Sequence, residues 1–211
     1  HVKEGGSGAG TSWQDASGSI QNAVDAAAAA GSGEVWVAEG AYTRTEPNHI
    51  ATVTLARGVH IYGGFAGTET ARDERDWNTH ASILDGETRY KCCWGADDST
   101  IDGFVLTNGD AYQGGGMYNS THSPRVANCT FTGNHADKGG GLYNDAGDPV
   151  VHNCAFIGNY SARDGGGLAS RFGCPTVTNC VFIDNAAQGN GGGMSSDLHD
   201  RPVVTNCDTH R

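Results

Sequence analysis

The dominant feature of this sequence is one phrase that recurs at a nearly constant interval. The segments 114–134 and 139–159 read GGGMYNSTHSPRVANCTFTGN and GGGLYNDAGDPVVHNCAFIGN. Glycine triplets recur after 25, 26 and 26 residues, beginning at Gly114, Gly139, Gly165 and Gly191. A proline and an Asn-Cys pair follow every triplet, and a Phe-x-x-Asn motif follows the first three. Four copies in phase predict a solenoid, because each lap must match the lap on which it stacks.

The content of each lap favours short strands over helices. Runs such as PRVANCTF, PVVHNCAF and PTVTNCVF alternate, and alternation places every second side chain on one face of a strand. The framework of leucine-rich repeats is absent, as are the Ala/Leu/Glu-rich stretches of helical repeats. Asn tolerates the left-handed backbone of a tight bend. We therefore predict an all-β fold, a parallel β-helix with about 25–26 residues per turn.

The same alternation predicts which side chains form the core of the repeat. They comprise a cysteine row, a phenylalanine row, a row of Leu and Met after the triplets, and a row of Asn at the bends. Their members are Cys129, Cys154, Cys180 and Cys207; Phe131, Phe156 and Phe182; Leu142 and Leu168; and Asn128, Asn153 and Asn179. Counting back 25 residues from Met117 puts Cys92 in the Leu/Met row of an earlier lap.

The segment SGSIQNAVDAAAAAG predicts a short amphipathic helix ahead of the strands. Ser19 is suited to cap its start, Ile20 and Val24 lie on one face, and Gly31 marks its end. Such a helix can cover the first lap, which otherwise exposes apolar side chains and unpaired strand edges.

We predict a single β-helix domain over residues 1–211. Its parts are an N-terminal strand and capping helix (1–33), irregular early turns with a long charged loop (34–98, loop 66–80) and regular repeats (99–211).

Composition limits the partners and the location. Asp and Glu outnumber Lys and Arg by 24 to 13, and a net charge of −11 repels phosphate backbones, so no nucleic acid is expected. The sequence contains no apolar run long enough for a membrane span. We interpret His1 as the first residue left after removal of a signal peptide, and expect a secreted or cell-surface protein.

Seven cysteines raise the question of disulfides. Registered neighbours in a parallel sheet have Cα atoms about 4.8 Å apart, but their Cβ directions rarely suit a bond. We therefore interpret the cysteine row as small buried apolar side chains. Cys93 and Cys174 fall outside the row, and the possible disulfide partners are Cys93, Cys174 and Cys180.

No cofactor is predicted, with calcium left open. Acidic residues lie at the corners of several laps, and Asp137 and Asp164 are the calcium candidates. The nonapeptide of calcium-binding β-rolls does not recur, and Cys92-Cys93 lacks the spacing of a zinc site.

No catalytic residue is predicted. A glycoside hydrolase needs two carboxyl groups about 5–9.5 Å apart. Asp97-Asp98 is the one acidic doublet, and adjacent residues of a strand face opposite sides. Arg171 and three other arginines near the repeats occupy different phases, and we find no row of acids beside them.

The repeated GGG[LM] and F-x-x-N motifs resemble the GGA[ILV] and FxxN repeats of chlamydial polymorphic outer membrane proteins. The segments VKEGGSGAGTSWQDA, GEVWVAEGAY, VHIYGGFAGTETARDERDW and ILDG are similar to secreted right-handed parallel β-helix proteins of the pectin-lyase-like superfamily. These resemblances imply a right-handed, exported β-helix with an adhesive or surface role. The third glycine stands where those repeats have Ala, and no C-terminal membrane barrel is visible in the sequence.

The sequence therefore predicts a non-catalytic structural or adhesive protein. The chain stops where a fourth Phe-x-x-Asn is due, and we expect head-to-tail association into a homo-oligomer or filament. The N-terminal HVKEGG is a candidate strand to lend to a neighbour.

The alternative is a protein that binds or cleaves polysaccharide, such as cell-surface glycans, with a sheet face and the 66–80 loop. A groove that holds acids and one Arg would favour this alternative.

Overall fold

The computed structural model describes residues 1–197 and 200–210, and it is a parallel β-solenoid of about seven laps. One helix, α1 (Ile20–Ala29), precedes the strands, and a 3-10 helix (Arg72–Glu74) lies in the 66–80 loop. The predicted all-β fold class is confirmed. No helix among the described residues is long and apolar enough to cross a membrane.

Sheet I contains seven parallel strands, one from each lap. They are β1 (Gly33–Ala38), β4 (Val59–Phe65), β7 (Thr100–Asp102), β11 (Arg125–Ala127), β15 (Val150–His152), β19 (Thr176–Thr178) and β23 (Val203–Thr205).

Sheet II also contains seven strands and follows sheet I after a tight bend. They are β2 (Gly40–Tyr42), β5 (Ser82–Asp85), β8 (Phe104–Thr107), β12 (Thr130–Thr132), β16 (Ala155–Ile157), β20 (Val181–Ile183) and β24 (Asp208–His210).

Sheet III contains the six strands that follow the glycine triplets or their equivalents. They are β3 (Ala51–Thr54), β6 (Lys91–Trp94), β10 (Met117–Ser120), β14 (Leu142–Asp145), β18 (Leu168–Arg171) and β22 (Met194–Ser196).

Sheet IV is a four-stranded addition between sheets II and III in the later laps. Its strands are β9 (Asp110–Gln113), β13 (His135–Lys138), β17 (Tyr160–Ser161) and β21 (Ala186–Ala187).

The register of the sheets reproduces the sequence period. Phe131 pairs with Phe156 and Phe156 with Phe182 in sheet II, and their rings stack at 4.7 and 4.8 Å between centroids. This equals the spacing between neighbouring strands, so each ring rests on its equivalent in the next lap. Cys129, Cys154 and Cys180 are buried beside these rings, whereas Cys207 in the last lap is half-buried.

The bend between sheets I and II requires the left-handed backbone at one position per lap. Asn128, Asn153, Asn179 and Asn206 occupy it with φ between 51° and 54°. Asn128 Nδ2 donates to Asp102 Oδ1 at 2.8 Å, and Asn153 Nδ2 donates to Asn128 Oδ1 at 2.7 Å. The bend residues thus form a corner ladder of amides that begins on a carboxylate.

A second amide ladder lies inside the solenoid. Asn134 donates from N and Nδ2 to Asn159 Oδ1 at 3.1 and 3.0 Å, and Asn159 donates in the same way to Asn185 Oδ1 at 3.0 and 2.9 Å. Asn134 and Asn159 are almost fully buried. Because buried amides are costly without partners, this inner ladder fixes the lap-to-lap register.

The third glycine of the first three triplets is required by the closeness of the next lap. A Cβ on Gly141 would lie 2.5 Å from the carbonyl oxygen of Gly167 and 2.9 Å from Phe156 Cδ1. Gly116 and Gly167 face equivalent contacts at 2.4 and 2.5 Å. The departure from Ala in the repeat motif therefore has a steric cause.

The N-terminal end of the solenoid is covered by its own chain. Ser19 Oγ accepts from Asn22 N at the start of α1, and Ile20 and Val24 join the main core. Val2, fully buried, bridges to Val37 of β1. The segment proposed to lend a strand to a neighbour instead completes the first lap of this chain.

The structure places Cys93, and not Cys92, at the position predicted in the Leu/Met row. Met117 pairs with Cys93, not with Cys92. The step between these laps is one residue shorter than the later period, so counting back by 25 residues selected the wrong neighbour. Cys93 thus lies in the Leu/Met row, and both thiols are buried.

Candidate functional site

Three columns of outward side chains meet on the outer face of sheet III. The first column lies just before the glycine triplets and contains Lys138, Asp164 and Asn190. These residues are neighbours on successive laps, because the backbone N–H after Lys138 donates to the Asp164 carbonyl and the one after Asp164 donates to the Asn190 carbonyl. The second runs through Tyr143, Ala169 and Ser195, and the third through Asp145, Arg171 and, one residue beyond β22, Asp197. Strand alternation directs these side chains away from the core.

The second column begins as an aromatic stack. The ring centroids of Trp94 and Tyr118 are 4.7 Å apart, and those of Tyr118 and Tyr143 are 5.9 Å apart. Lys91 Nζ lies 4.7 Å from the Trp94 ring and 5.0 Å from the Tyr118 ring. The stack forms a small apolar cluster outside the sheet. Tyr118 and Tyr143 are only 8% and 1% exposed, so their rings support the site and offer little open surface.

The stack stops where Ala169 replaces an aromatic residue, and a pocket opens there. Its volume is about 480 Å³, within the range of small-ligand sites. Its lining residues are Lys138, Tyr143, Asp164, Ala169, Ser170, Arg171, Asn190, Ser195, Ser196 and Asp197. We call this cavity the sheet III pocket.

Charged groups of both signs surround the sheet III pocket. Asp164 Oδ1 accepts from Asn190 N at 2.8 Å and from Asn190 Nδ2 at 3.1 Å. Arg171 Nε lies 3.7 Å from Asp197 Oδ2, and the Arg171 guanidinium also covers the ring of Phe172 at 4.3 Å. The pocket therefore offers fixed acceptors on one side and a held guanidinium on the other.

The hydroxyl of Tyr143 is the unusual group of the sheet III pocket. It is buried and makes no hydrogen bond of good geometry within the described residues, although the Arg171 guanidinium lies close enough to act on it. Burial raises the pKa of Tyr143, the charge of Asp145 adds to the rise, and Arg171 opposes it. Because Tyr143 is almost fully buried, it forms part of the pocket wall, and Arg171 is the charged group beside it.

The comparison with family profiles identifies the fold. The profile described as "Right handed beta helix region" matches residues 77–209, which is more than half of the chain. The chain belongs to the right-handed β-helix family. No curated protein matches this β-helix.

Three chains of solved structures match this β-helix, and one of them resembles it over most of its length. It is a protein from Parabacteroides merdae ATCC 43184 that has been provisionally described as a glycosyl hydrolase. The TM-score is 0.43 at 12% identity, over 90% of this chain and 88% of the other. Likeness at that level says nothing about the activity of this β-helix.

The two calcium candidates lie on neighbouring laps of the β-helix. Arg163 Nε is 3.1 Å from Asp137 Oδ2, and a cation bound there would face that guanidinium. Asp137 is thus engaged by Arg163, and a calcium site there stays a prediction. Among residues 1–197 and 200–210, no group of three or more His, Cys, Asp or Glu side chains is arranged to hold a metal.

The three possible disulfide partners differ in how far they are buried. Cys93 and Cys180 are buried in the core of the β-helix, whereas Cys174 is exposed on a turn, where its N donates to Asp148 Oδ1 at 2.7 Å. All seven cysteines lie within the described part of the chain, and each is a free thiol. Burial raises the pKa of Cys154 well above its usual value, as expected for a packed thiol.

The acidic doublet and the long loop are both tied to the scaffold. Asp97 accepts from Ser123 N, and Asp98 forms an ion pair with Arg57. In the 66–80 loop, Arg75 Nη2 donates to Asp102 Oδ1 at 2.7 Å. Neither feature contributes to the sheet III pocket.

The sequence reasoning missed Arg171 as part of a site. Its statement that no row of acids accompanies the arginines is wrong, because Arg171 pairs with Asp145 in the sheet and lies beside Asp197. Aligning the laps on the residue three after each Leu or Met of sheet III would have revealed this column. Aligning the residue before each triplet would have added Lys138, Asp164 and Asn190.

Proposed function

We propose that this protein binds polysaccharide in the sheet III pocket. The observation that carries the proposal is the meeting of acids and one arginine in one groove. A groove of this kind is the feature expected from the sequence to favour the polysaccharide alternative over a purely structural role.

The chemistry of the lining suits a hydroxyl-rich ligand. Sugar hydroxyls donate to carboxylates and accept from guanidinium, ammonium and amide groups, and Asp164, Arg171, Lys138 and Asn190 supply all of these. The small side chain of Ala169 leaves the space that an aromatic ring fills one lap earlier.

Binding without cleavage is the form that the geometry favours. A hydrolase needs one carboxyl group that is free to deliver its proton to the leaving oxygen. Asp164 is engaged by two donors of Asn190, and Asp197 lies beside Arg171. Both carboxylates thus serve as fixed acceptors.

The test is calorimetry of the full chain against neutral, uronic and sulfated polysaccharides. Arg171→Ala is expected to weaken binding about tenfold or more, because a hydrogen bond to a charged group is lost. Arg125→Ala is the matched control, since Arg125 is exposed on sheet I, and it is expected to bind as the parent does.

Equal affinity of Arg171→Ala and the parent, with both folded by circular dichroism, would refute the assignment of the pocket. Absence of binding to every polysaccharide of the panel would refute the function. Release of new reducing ends would instead make the protein a glycan-cleaving enzyme.

Export to the cell surface and head-to-tail association stay predictions. They fit a glycan-binding protein, since a stack of identical subunits multiplies weak sites. Sedimentation velocity over a range of concentrations tests the association, and fractionation of the producing cell tests the location.

A further inference from the structure

The corner ladder between sheets I and II is interrupted at one place. Asn128 bonds back to Asp102, Asn153 bonds back to Asn128, and Asn206 Nδ2 bonds back to Asn179 Oδ1 at 2.7 Å. The structure contains no hydrogen bond between the side chains of Asn153 and Asn179, both of which it describes.

The interruption is not a slip of the strands. Val151 pairs with Val177 before the bend, and Ala155 pairs with Val181 after it. The backbone bond also continues, since Asn153 N donates to Thr178 O at 3.0 Å. The break is therefore confined to the side chains: the Asn153 oxygen is left as an acceptor and the Asn179 amide nitrogen as a donor, and both residues are exposed.

A trough of about 240 Å³ passes over this interruption. Its floor is made by the bend residues and by the outward side chains of sheet II, and Trp77 and Asn78 of the 66–80 loop form its side. The residues that line it are Trp77, Asn78, Asn128, Cys129, Thr130, Asn153, Cys154, Ala155, Asn179 and Val181. We call it the corner trough.

Trp77 is held rigidly at the side of the corner trough. The Arg75 guanidinium lies 4.8 Å from its ring, and Arg75 is fixed by Asp102 through a pair whose side chains are only 8% and 12% exposed. Gly64 and Gly103 allow the loop to pack closely, since a Cβ on either would approach Trp77 N or Arg75 Nη1 to 2.7 Å. A buried ion pair therefore positions an aromatic ring beside the interruption of the corner ladder.

We propose that the corner trough is a second glycan-binding site of this protein. A hydroxyl both donates and accepts at one oxygen, so one sugar hydroxyl completes the ladder by donating to Asn153 Oδ1 and accepting from Asn179 Nδ2. The apolar face of the same or the next sugar ring packs against Trp77. Only the class of ligand rests on the proposed function, because the residues of the two sites are entirely different.

The test follows the indole N–H signals of the four tryptophans by NMR of the ¹⁵N-labelled full chain. The probes are hexasaccharides of β-1,4-linked glucose, mannose and xylose. We expect the Trp77 signal, assigned with Trp77→Phe, to shift on titration, while that of Trp13, buried under the 66–80 loop, stays in place. Asn179→Ala is expected to weaken the titration about tenfold, and Thr132→Ala, on the same sheet away from the trough, to leave it unchanged.

The variants distinguish binding at the corner trough from binding at the sheet III pocket. A Trp77 shift that persists in Arg171→Ala supports an independent trough, even if the sheet III pocket binds nothing. A Trp77 signal that stays unmoved by all three hexasaccharides overturns the corner trough, whatever the pocket does. Equal titrations for the parent and a folded Asn179→Ala overturn the role of the ladder interruption.

Discussion

The inner and outer columns of the same laps follow different rules. Inside, Phe131, Phe156 and Phe182 repeat one residue type at one spacing. Outside, the column through Tyr118 and Tyr143 changes to Ala169 and then to Ser195. Both columns belong to regularly paired strands, so the backbone imposes neither the sameness nor the change.

The difference shows where specific chemistry is found in a solenoid. An inward side chain contacts its equivalent on both neighbouring laps, and a change there leaves a cavity or an unpaired group. An outward side chain meets solvent on one side and is free to differ. The pocket opens at the point where an outer column stops repeating.

The largest effect is expected from truncating the inner column. Phe156→Ala should lower the free energy of unfolding by about 3–5 kcal/mol, because the cavity lies between two stacked rings. Thr132→Ala, on the outer face of the same sheet, should change it by less than about 0.5 kcal/mol. Urea unfolding measures both, and similar losses would contradict the distinction between the two faces.

Substitution of a glycine packed against the next lap should cost more stability than substitution of a glycine with open space around it. Gly141→Ala places a Cβ against Gly167 O and Phe156, whereas Gly158→Ala meets nothing within 4 Å and suffers only from its φ of +60°. We expect losses of about 3 and about 1 kcal/mol, respectively. Thermal unfolding of the two variants gives the order, and a greater loss for Gly158→Ala would show that the laps separate easily.

Lys91, over the aromatic stack, should give the outer face a pH dependence. Burial lowers the pKa of Lys91 to about 8, below its value in the unfolded chain. Between about pH 8 and 10.4 the unfolded chain then binds more protons, so stability should rise with pH in that window. Lys91→Met should lose this rise and be more stable than the parent at pH 7.

Urea unfolding at pH 7 and pH 10 measures the difference. Lys3→Met is the control, since Lys3 is exposed, and its stability should follow the parent at both values. A rise with pH that survives in Lys91→Met would assign it to another group.

The smallest effect on stability is expected at the edge of the pocket. Tyr143→Phe removes a buried hydroxyl that makes no hydrogen bond of good geometry, so the free energy of unfolding should change by no more than about 1 kcal/mol. The affinity for polysaccharide should stay unchanged in this variant, because the hydroxyl is covered. A clear loss of stability would show that the hydroxyl is bonded within the folded chain.

The sequence carries more information about the inside than about the outside. The strand periodicity predicted the inward position of Phe131 and Phe156, since a period of two is strict in a strand. It failed at Cys92 and Cys93, where one lap is a residue shorter and no motif marks the change. The neighbouring position of Arg171 and Asp197 follows from the lap alignment, but the space between them depends on the small side chain at Ala169. The corner trough depends on a loop whose path is set by the pair of Arg75 and Asp102.

The two amide ladders run in opposite senses along the solenoid. In the inner ladder Asn134 donates to the following lap, and its orientation is fixed because Asn134 Nδ2 also donates to Leu106 O. In the corner ladder Asn128 donates to the preceding lap, as it must when it meets the carboxylate of Asp102. The side-chain dipoles of the two rows therefore point in opposite directions along the solenoid. A lap that stacks after the last one would meet a donor of the inner ladder and an acceptor of the corner ladder, so the two rows together set the polarity of its side chains.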